Sequence, residues 1–245
     1  MALFPRLRVS AYVICVDDER VLLSRWIGYD GPQWSLAGGG LDPGENPQQG
    51  ALRELFEETG YVGELDALLG IDVQHFESDR HVPEGYDGVD VHAVRIVYRG
   101  HVTGGELTHE VGGTSDLAEW VPLDKLSSLD AVPLVAIGMA MNDGDGVPVA
   151  RVGPNPPIAD GVRVELRVAA FGHRADGATA GGLLAHGDDP VEVVRAAFLE
   201  QRGEEVTVGP PRDASGTVEP REDGGDDGGS VRWVVRLDYD VIGAG

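Results

Sequence analysis

Positive charge is scarce in this chain. Its 245 residues hold 19 lysines and arginines against 42 aspartates and glutamates, a formal net charge of −23. Such a surface repels nucleic acid and anionic membranes at long range, so neither is expected as a partner. It would also repel a phosphorylated small molecule unless a cation stood between them. Cysteine is nearly absent, with Cys15 alone. One cysteine closes no intrachain disulfide and builds no cysteine-based zinc cluster, and its place in the strand-like stretch SAYVICV predicts a buried, inert thiol. A reducing cytoplasm suits that usage. No run of about 18 apolar residues exists, which argues against a transmembrane helix. The opening MALFPRLRVSAYVICV lacks a basic cluster and a small-residue cleavage site, so it does not read as a signal peptide. The seven histidines show no HxxxH or similar spacing, and none is assigned as a metal ligand.

What is present divides into two textures. RLRVSAYVICV (6–16) and RVLLSRW (20–26) are β-branched runs around DDE and predict an antiparallel hairpin. IGYDGPQ reads as a loop before WSLAGGG. The stretch 44–60, GENPQQGALRELFEETG, carries helix signals: Asn46 as N-cap, Pro47 at the first helical position and Gly60 as the stop. Strand character returns in 61–78 and 90–102. AEWVPLDKL (118–126) predicts a strand end and a helix start, and 131–141 a short helix. Residues 142–161, rich in Gly, Pro and Asp, read as a linker. Beyond it VRVELRVAAFG, PVEVVRAAFLEQRG and SVRWVVRLDYDVIG predict strand, helix and strand. The acidic, glycine-rich 219–230 has nothing to bury and predicts a mobile loop. The expected domains are therefore 1–141 and 162–245, with 142–161 between them.

At about 100° per residue, Leu52, Leu55 and Phe56 share one face of the first helix, and Glu54, Glu57 and Glu58 share the opposite one. A solvated acidic face is the ordinary explanation for such a run. Two features weigh against it. Like charges three and four residues apart cost a few tenths of a kcal/mol per pair, and Arg53 on the flank is the one local base. The preceding LAGGG also lets backbone approach the helix, because glycine has no Cβ. Three carboxylates with converging oxygens suit a hard divalent ion such as Mg²⁺, which keeps positions open for substrate phosphates. A cation there would relieve the crowding and give a polyanion a reason to approach an acidic protein.

The stretch resembles the Nudix box, G-x5-E-x7-R-E-U-x-E-E-x-G-U, with U a bulky apolar residue. Gly39, Glu45, Arg53, Glu54, Leu55, Glu57, Glu58 and Gly60 fall in place. Seven fixed identities would coincide by accident at a rate on the order of 10⁻⁸ per start position. Tyr61 stands where an aliphatic residue is usual, and Ala37 where proline often precedes the glycines. The likeness extends weakly through VLLSRW, WSLAGG and AEWVPLDKL, covering about 6–141. It implies an α+β fold, a Nudix-type α/β/α sandwich with a mixed β-sheet, and hydrolysis of a nucleoside diphosphate linked to another group. Glu54, Glu57, Glu58 and the Gly38 carbonyl would hold Mg²⁺ (or Mn²⁺). Glu45 and Arg53 would orient the glutamates from behind, which places Arg53 in the catalytic apparatus. Glu54 or Glu57 would take the proton from water; Glu110, Asp116 and Glu119 in a distal loop are the other candidates.

Arg25 could pair with a substrate phosphate or form a surface ion pair. Tyr29 and Tyr86 could stack on a base, whereas Trp34 reads as core. A non-catalytic nucleotide sensor or scaffold on the same frame is the alternative, and an isopentenyl diphosphate type isomerase a remote one. The intact glutamates argue for hydrolysis. No feature selects among nucleotide-type substrates.

The second texture resembles the first. GDDPVEVVRAAFLEQRG (187–203) aligns without gaps on 44–60: Gly187 with Gly44, Asp188 with Glu45, Pro190 with Pro47, Phe198 with Leu55, Glu200 with Glu57 and Gly203 with Gly60. Ala197 and Gln201 replace Glu54 and Glu58, and the arginine moves to Arg195. This predicts a smaller, degenerate Nudix-like α/β domain that cannot hold Mg²⁺ well. It would pack against the first domain, cover its cleft or build a homodimer contact.

Overall fold

The computed structural model describes residues 2–28, 31–110, 112–149, 153, 155, 158, 162–220 and 230–243. Strands β1 (Leu3–Asp17) and β2 (Arg20–Gly28) join through Asp18 and Glu19. Both turn residues have positive φ (45° and 57°), which matches the turn twist to that of the flanking strands. Then come β3 (Gly31–Gly40), α1 (Pro47–Thr59), β4 (Tyr61–Ser78), β5 (Gly88–Gly105) and β6 (Ser115–Pro122). A 3-10 turn (Leu123–Ser128), α2 (Pro133–Asn142) and the short β7 (Val147–Pro148) follow. They form one mixed sheet in the order β6-β2-β3-β1-β5-β4-β7. β1 runs parallel to β5, from Leu3 opposite Gly88 to Cys15 opposite Gly100, and its pairings with β2 and β3 are antiparallel. Neighbouring residues of β1 point to opposite faces of the sheet. Val13 and Cys15 meet Leu55 of α1, while Ile14 meets Leu134 and Val135 of α2. The sheet is thus covered by a helix on each face, as the α/β/α expectation requires.

The stretch expected to be a linker is only partly that. Where it is described, β7 pairs with β4, and the Asn155 amide bridges the carbonyls of Gly44 and Gly216 at 2.9 and 2.8 Å.

Strands β8 (Arg163–Arg174) and β9 (Thr179–Leu183), helix α3 (Pro190–Arg202), and strands β10 (Val206–Pro220) and β11 (Ser230–Gly243) complete the chain. Their sheet has the order β10-β11-β8-β9. β9 and β10 are not apparent in the sequence, because paired glycines interrupt β9 and Gly-Pro-Pro interrupts β10. The stretch expected to be a mobile loop lies, over 221–229, outside the described residues.

This order repeats β4-β5-β1-β3 strand for strand. β11 is parallel to β8 as β5 is to β1, and the flanking pairs are antiparallel in both sheets. The register agrees residue by residue. Gly38 lies opposite Tyr12 and Gly39 opposite Ala11; Gly181 lies opposite Phe171 and Gly182 opposite Ala170. Ile96 pairs with Ala11 as Leu237 pairs with Ala170, which sets Tyr98 beside Tyr239 and His92 beside Trp233 in the equivalence. No strand of the second sheet, among the described residues, corresponds to β2 or β6.

The two sheets share one apolar cluster. It takes Val9, Leu68, Ile96 and the fully buried Tyr98 from the first, and Val168, Phe198, Leu237 and Tyr239 from the second. Their polar contacts are reciprocal. Trp233 Nε1 donates to the Glu45 carbonyl at 3.1 Å; at the equivalent place on the other side, the Gly187 N–H donates to His92 Nδ1 at 3.2 Å. The second region therefore packs against the first.

Candidate active site

Helix α1 begins where the sequence signals it. Asn46 Oδ1 accepts the Gln48 N–H at 3.0 Å, and Gln49 Oε1 accepts the Asn46 N–H at 3.3 Å, a reciprocal cap. Gly60 ends the helix at φ 73°, where a Cβ would be strained. The buried stripe, however, is Gln48, Ala51, Leu55, Glu58 and Thr59. Phe56, expected on the apolar face, is 56% exposed. Two long residues at 55 and 56 cannot both face one sheet, and Leu55 takes the inner position. The rotation carries Glu58 inward, to 6% exposure, away from the face it was expected to share with Glu54 and Glu57.

Arg53 is no mere flank residue. Its Nε and Nη2 form a fork on Glu45 at 2.9 and 3.0 Å. Nη2 also donates to the Gly40 carbonyl at 3.0 Å. Nη1 reaches Glu54 at 3.0 Å and Glu57 at 2.8 Å. The glutamate crowding is thus partly relieved by one guanidinium, whose own pKa is raised, chiefly by its hydrogen bond to Glu45. Glu45 is fixed in turn, accepting the Asp42 N–H at 2.9 Å.

Glu58 Oε2 accepts the Gly38 N–H at 2.9 Å, and its Oε1 accepts the Ser115 hydroxyl at 2.6 Å. It has no ion pair among the described residues. Burial pushes its pKa up to about 7, against the pull of those two donors. Glu54 is also raised, first by burial and against Arg53. The glycines make room for both. A Cβ on Gly39 would lie 2.6 Å from Glu54 Oε1, and one on Gly38 (φ 149°) 2.4 Å from the Ala11 carbonyl. The three carboxylates do not gather around one point as the spacing predicts: Glu54 and Glu57 bind Arg53, and Glu58 turns inward. The donor set of Glu54, Glu57, Glu58 and Gly38 is nevertheless all oxygen, the kind a hard divalent cation takes. A buried carboxylate without an ion pair is the group such a cation would relieve.

Of the loop acids, Glu110 lies nearest. It accepts the Ser115 N–H at 2.8 Å, and its charge contributes to the raised pKa of Glu54. Asp116 is held by Arg25 through a two-bond fork at 2.9 and 2.8 Å, which lowers its pKa. Arg25, expected as a phosphate contact, is therefore engaged in an ion pair here. Glu119 adds only charge near Arg25. Tyr29 lies outside the described residues. Trp34 packs at the edge of the α2-side cluster, as read from sequence, and Tyr86 stacks edge-on against Phe4 with ring centroids 5.1 Å apart. Sequence reasoning missed Ser115. A serine 57 residues from Glu58 carries no local signal.

The family model described as NUDIX domain matches residues 5–138. The putative 8-oxo-dGTP diphosphatase of Bacillus subtilis (strain 168) is 31% identical over 119 residues, covering 48% of this chain and 68% of that protein. The human diphosphoinositol polyphosphate phosphohydrolase 2 is 51% identical over 55 residues, 22% of this chain and 29% of its own length. Among solved structures, a NUDIX hydrolase from Nitrosomonas europaea matches with a TM-score of 0.46 at 20% identity, over 56% of this chain and 89% of that one.

Proposed function

The chain belongs to the NUDIX domain family of phosphoanhydride hydrolases, and from that premise we propose that it is a Mg²⁺-dependent (or Mn²⁺-dependent) pyrophosphohydrolase of a nucleotide-type diphosphate. The observation that carries this is the glutamate ridge of α1: Glu54 and Glu57 held from behind by Arg53 and Glu45, and Glu58 buried without an ion pair. Glu54, Glu57, Glu58 and the Gly38 carbonyl would hold the ion. When bound, it supplies acidified water and neutralises phosphate oxygens. The chain's own residues do the rest. Arg53 fixes the rotamers of Glu54 and Glu57. Ser115 and the Gly38 N–H orient Glu58. Glu57, the most exposed of the three, or Glu54 takes the proton as water attacks phosphorus. The relatives' names, an 8-oxo-dGTP diphosphatase and a diphosphoinositol polyphosphate phosphohydrolase, share cleavage at a diphosphate, and that shared group is the substrate class.

We assign the same ancestry to residues 162–245: a degenerate copy of the 1–141 domain, joined through 142–161, with the strand order kept and the ligands lost.

A panel of nucleoside triphosphates, nucleotide sugars and dinucleotides, assayed with Mg²⁺ for release of phosphate, pyrophosphate or nucleotide, tests the reading beside Glu57→Gln. The variant is expected to fold and to lose roughly 10²–10⁴-fold in rate. Near-full activity in it would overturn the role of Glu57. Absence of metal-dependent turnover on every substrate would favour a sensor.

A further inference from the structure

The reciprocal contacts between the two sheets differ in chemistry. On one side the turn before α1 meets Val218 and Trp233: a Cβ on Gly44 would lie 3.3 Å from Val218, and Trp233 binds the Glu45 carbonyl. On the other side the turn before α3 meets imidazoles. By the shared register, His75 stands where the copy has Val218, His92 where it has Trp233, and Asp90 where it has Val231. His186 stands where the first domain has Pro43, at the constant offset between the two turns. None of the four counterparts can ligate a metal through its side chain. All four residues on this side can.

They are also close together. One ligand atom each of His75, Asp90 and His186 lies within 4.8 Å of the other two. His186 Nε2 is 2.9 Å from Asp90 Oδ2. His92 is fully buried and stacks on His75, ring centroids 4.4 Å apart and planes 16° apart. Its Nδ1 accepts the Gly187 N–H, and its Nε2 has no partner among the described residues. The three imidazoles would repel one another if protonated. As neutral rings beside a carboxylate they are a nitrogen–oxygen donor set of the kind that takes Zn²⁺ and its first-row neighbours, not Mg²⁺.

We propose that His75, Asp90 and His186 bind a divalent transition cation of the Zn²⁺ class, which clasps the second lobe to the first. Two ligands come from adjacent strands of the first sheet and one from the loop between β9 and α3. Arms of about 2.0–2.2 Å in tetrahedral geometry place donor atoms roughly 3.3–3.5 Å apart. The exposed His75 and His186 close that distance by side-chain rotation, and water completes the shell. Binding replaces the His186–Asp90 hydrogen bond, and the neutral imidazole keeps its one proton on the ring nitrogen that faces away from the ion. The site is separate from the α1 glutamates and does not depend on the reading of their activity.

Calorimetric titration of the full chain with Zn²⁺, in excess Mg²⁺, tests it in the wild type, His75→Ala/His186→Ala, Asp90→Asn and Glu57→Gln. One Zn²⁺ is expected to bind the wild type and Glu57→Gln alike. Affinity should fall more than about 100-fold in the double histidine variant, exceeding the loss from an outer-shell partner. Zn²⁺ should raise the melting temperature of the wild type and Glu57→Gln, and leave the double variant unmoved. Both histidines are exposed, and circular dichroism checks that the double variant folds; Asp90→Asn keeps both rings and should still weaken binding. The proposal is overturned if the wild type binds no Zn²⁺, or if the double variant and Asp90→Asn bind it as the wild type does.

Discussion

Helices α1 and α3 occupy the same place in two sheets of the same order, yet one presents a glutamate ridge and the other does not. Their scaffolding is nearly interchangeable. Each starts with an Asx N-cap and proline at the first position, and each stops at a left-handed glycine, φ 73° for Gly60 and 70° for Gly203. Leu55 and Phe198 are buried, and the next residues, Phe56 and Leu199, are 56% and 53% exposed. Even the turn before the helix is preserved: Asp188 accepts the Ala185 N–H as Glu45 accepts that of Asp42. The differences fall on the positions proposed to hold the cation. Ala197 replaces Glu54 and is buried; Ala196 replaces Arg53, so the fork has no counterpart. At Gly38 the N–H donates to Glu58, whereas at Gly181 the carbonyl accepts from Gln201 Nε2 at 3.2 Å. That amide occupies the carbonyl whose equivalent is proposed as a metal ligand. Helix α3 keeps an Asx cap, the same strand register and a buried aromatic at Phe198 without an acidic set, so that scaffold does not require such glutamates.

The largest effects are expected at the paired glycines. A Cβ at Gly38 would sit 2.4 Å from the Ala11 carbonyl, and one at Gly181 2.2 Å from the Ala170 carbonyl. Gly38→Ala and Gly181→Ala are each expected to destabilise by about 2–4 kcal/mol in denaturant titration. Unequal costs would show that the two turns are not equivalent. Glu58 and Gln201 form the next pair. With its pKa raised to about 7, Glu58 favours the folded state while neutral, below its ordinary range near 4.5, and that contribution is lost as pH rises through 7. In chelator near pH 8, Glu58→Gln should therefore gain about 1–3 kcal/mol while losing activity. Gln201→Glu, at an exposed position, should change stability by no more than about 0.5 kcal/mol. A destabilised Glu58→Gln would contradict the burial argument.

A third pair lies at the ends of β1 and β8. Cys15 is buried with its thiol pKa pushed up to about 12; its equivalent by register, Arg174, pairs with Asp176 and Glu204. The thiol stabilises the fold in full below about pH 9, and loses that contribution as pH climbs towards 12. Asp176, lowered to about 2 chiefly by Arg174, contributes above its ordinary range and fails only as pH falls through 2. Cys15→Ala should remove about 1–2 kcal/mol of the alkaline loss near pH ~10.5, leaving the acid limb unchanged, as read from pH-dependent unfolding.

Much of this was legible in the chain. Local signals gave the α1 cap, the strands of the first sheet, the glutamate spacing and the alignment of 187–203 on 44–60, because each depends on residues a few positions apart. What was not legible depends on distant partners. The inward turn of Glu58 needs Gly38 and Ser115. The position of Arg53 between Glu54 and Glu57 is a rotamer choice. Gly31 to Gln33 of β3 read as loop because Gly28 to Pro32 is dense in turn residues, and Gly-Pro-Pro hides β10. His75, Asp90 and His186 have no periodic spacing, and only the packing of the two sheets unites them.

Contacts that answer each other across like surfaces are the mark of an isologous interface, the way two subunits meet about a twofold axis. Here Trp233 on Glu45 and Gly187 on His92 make that match within a single polypeptide. A tethered pair of this kind does not come apart on dilution, and its halves need not stay identical. One half can carry chemistry while the other serves to steady it.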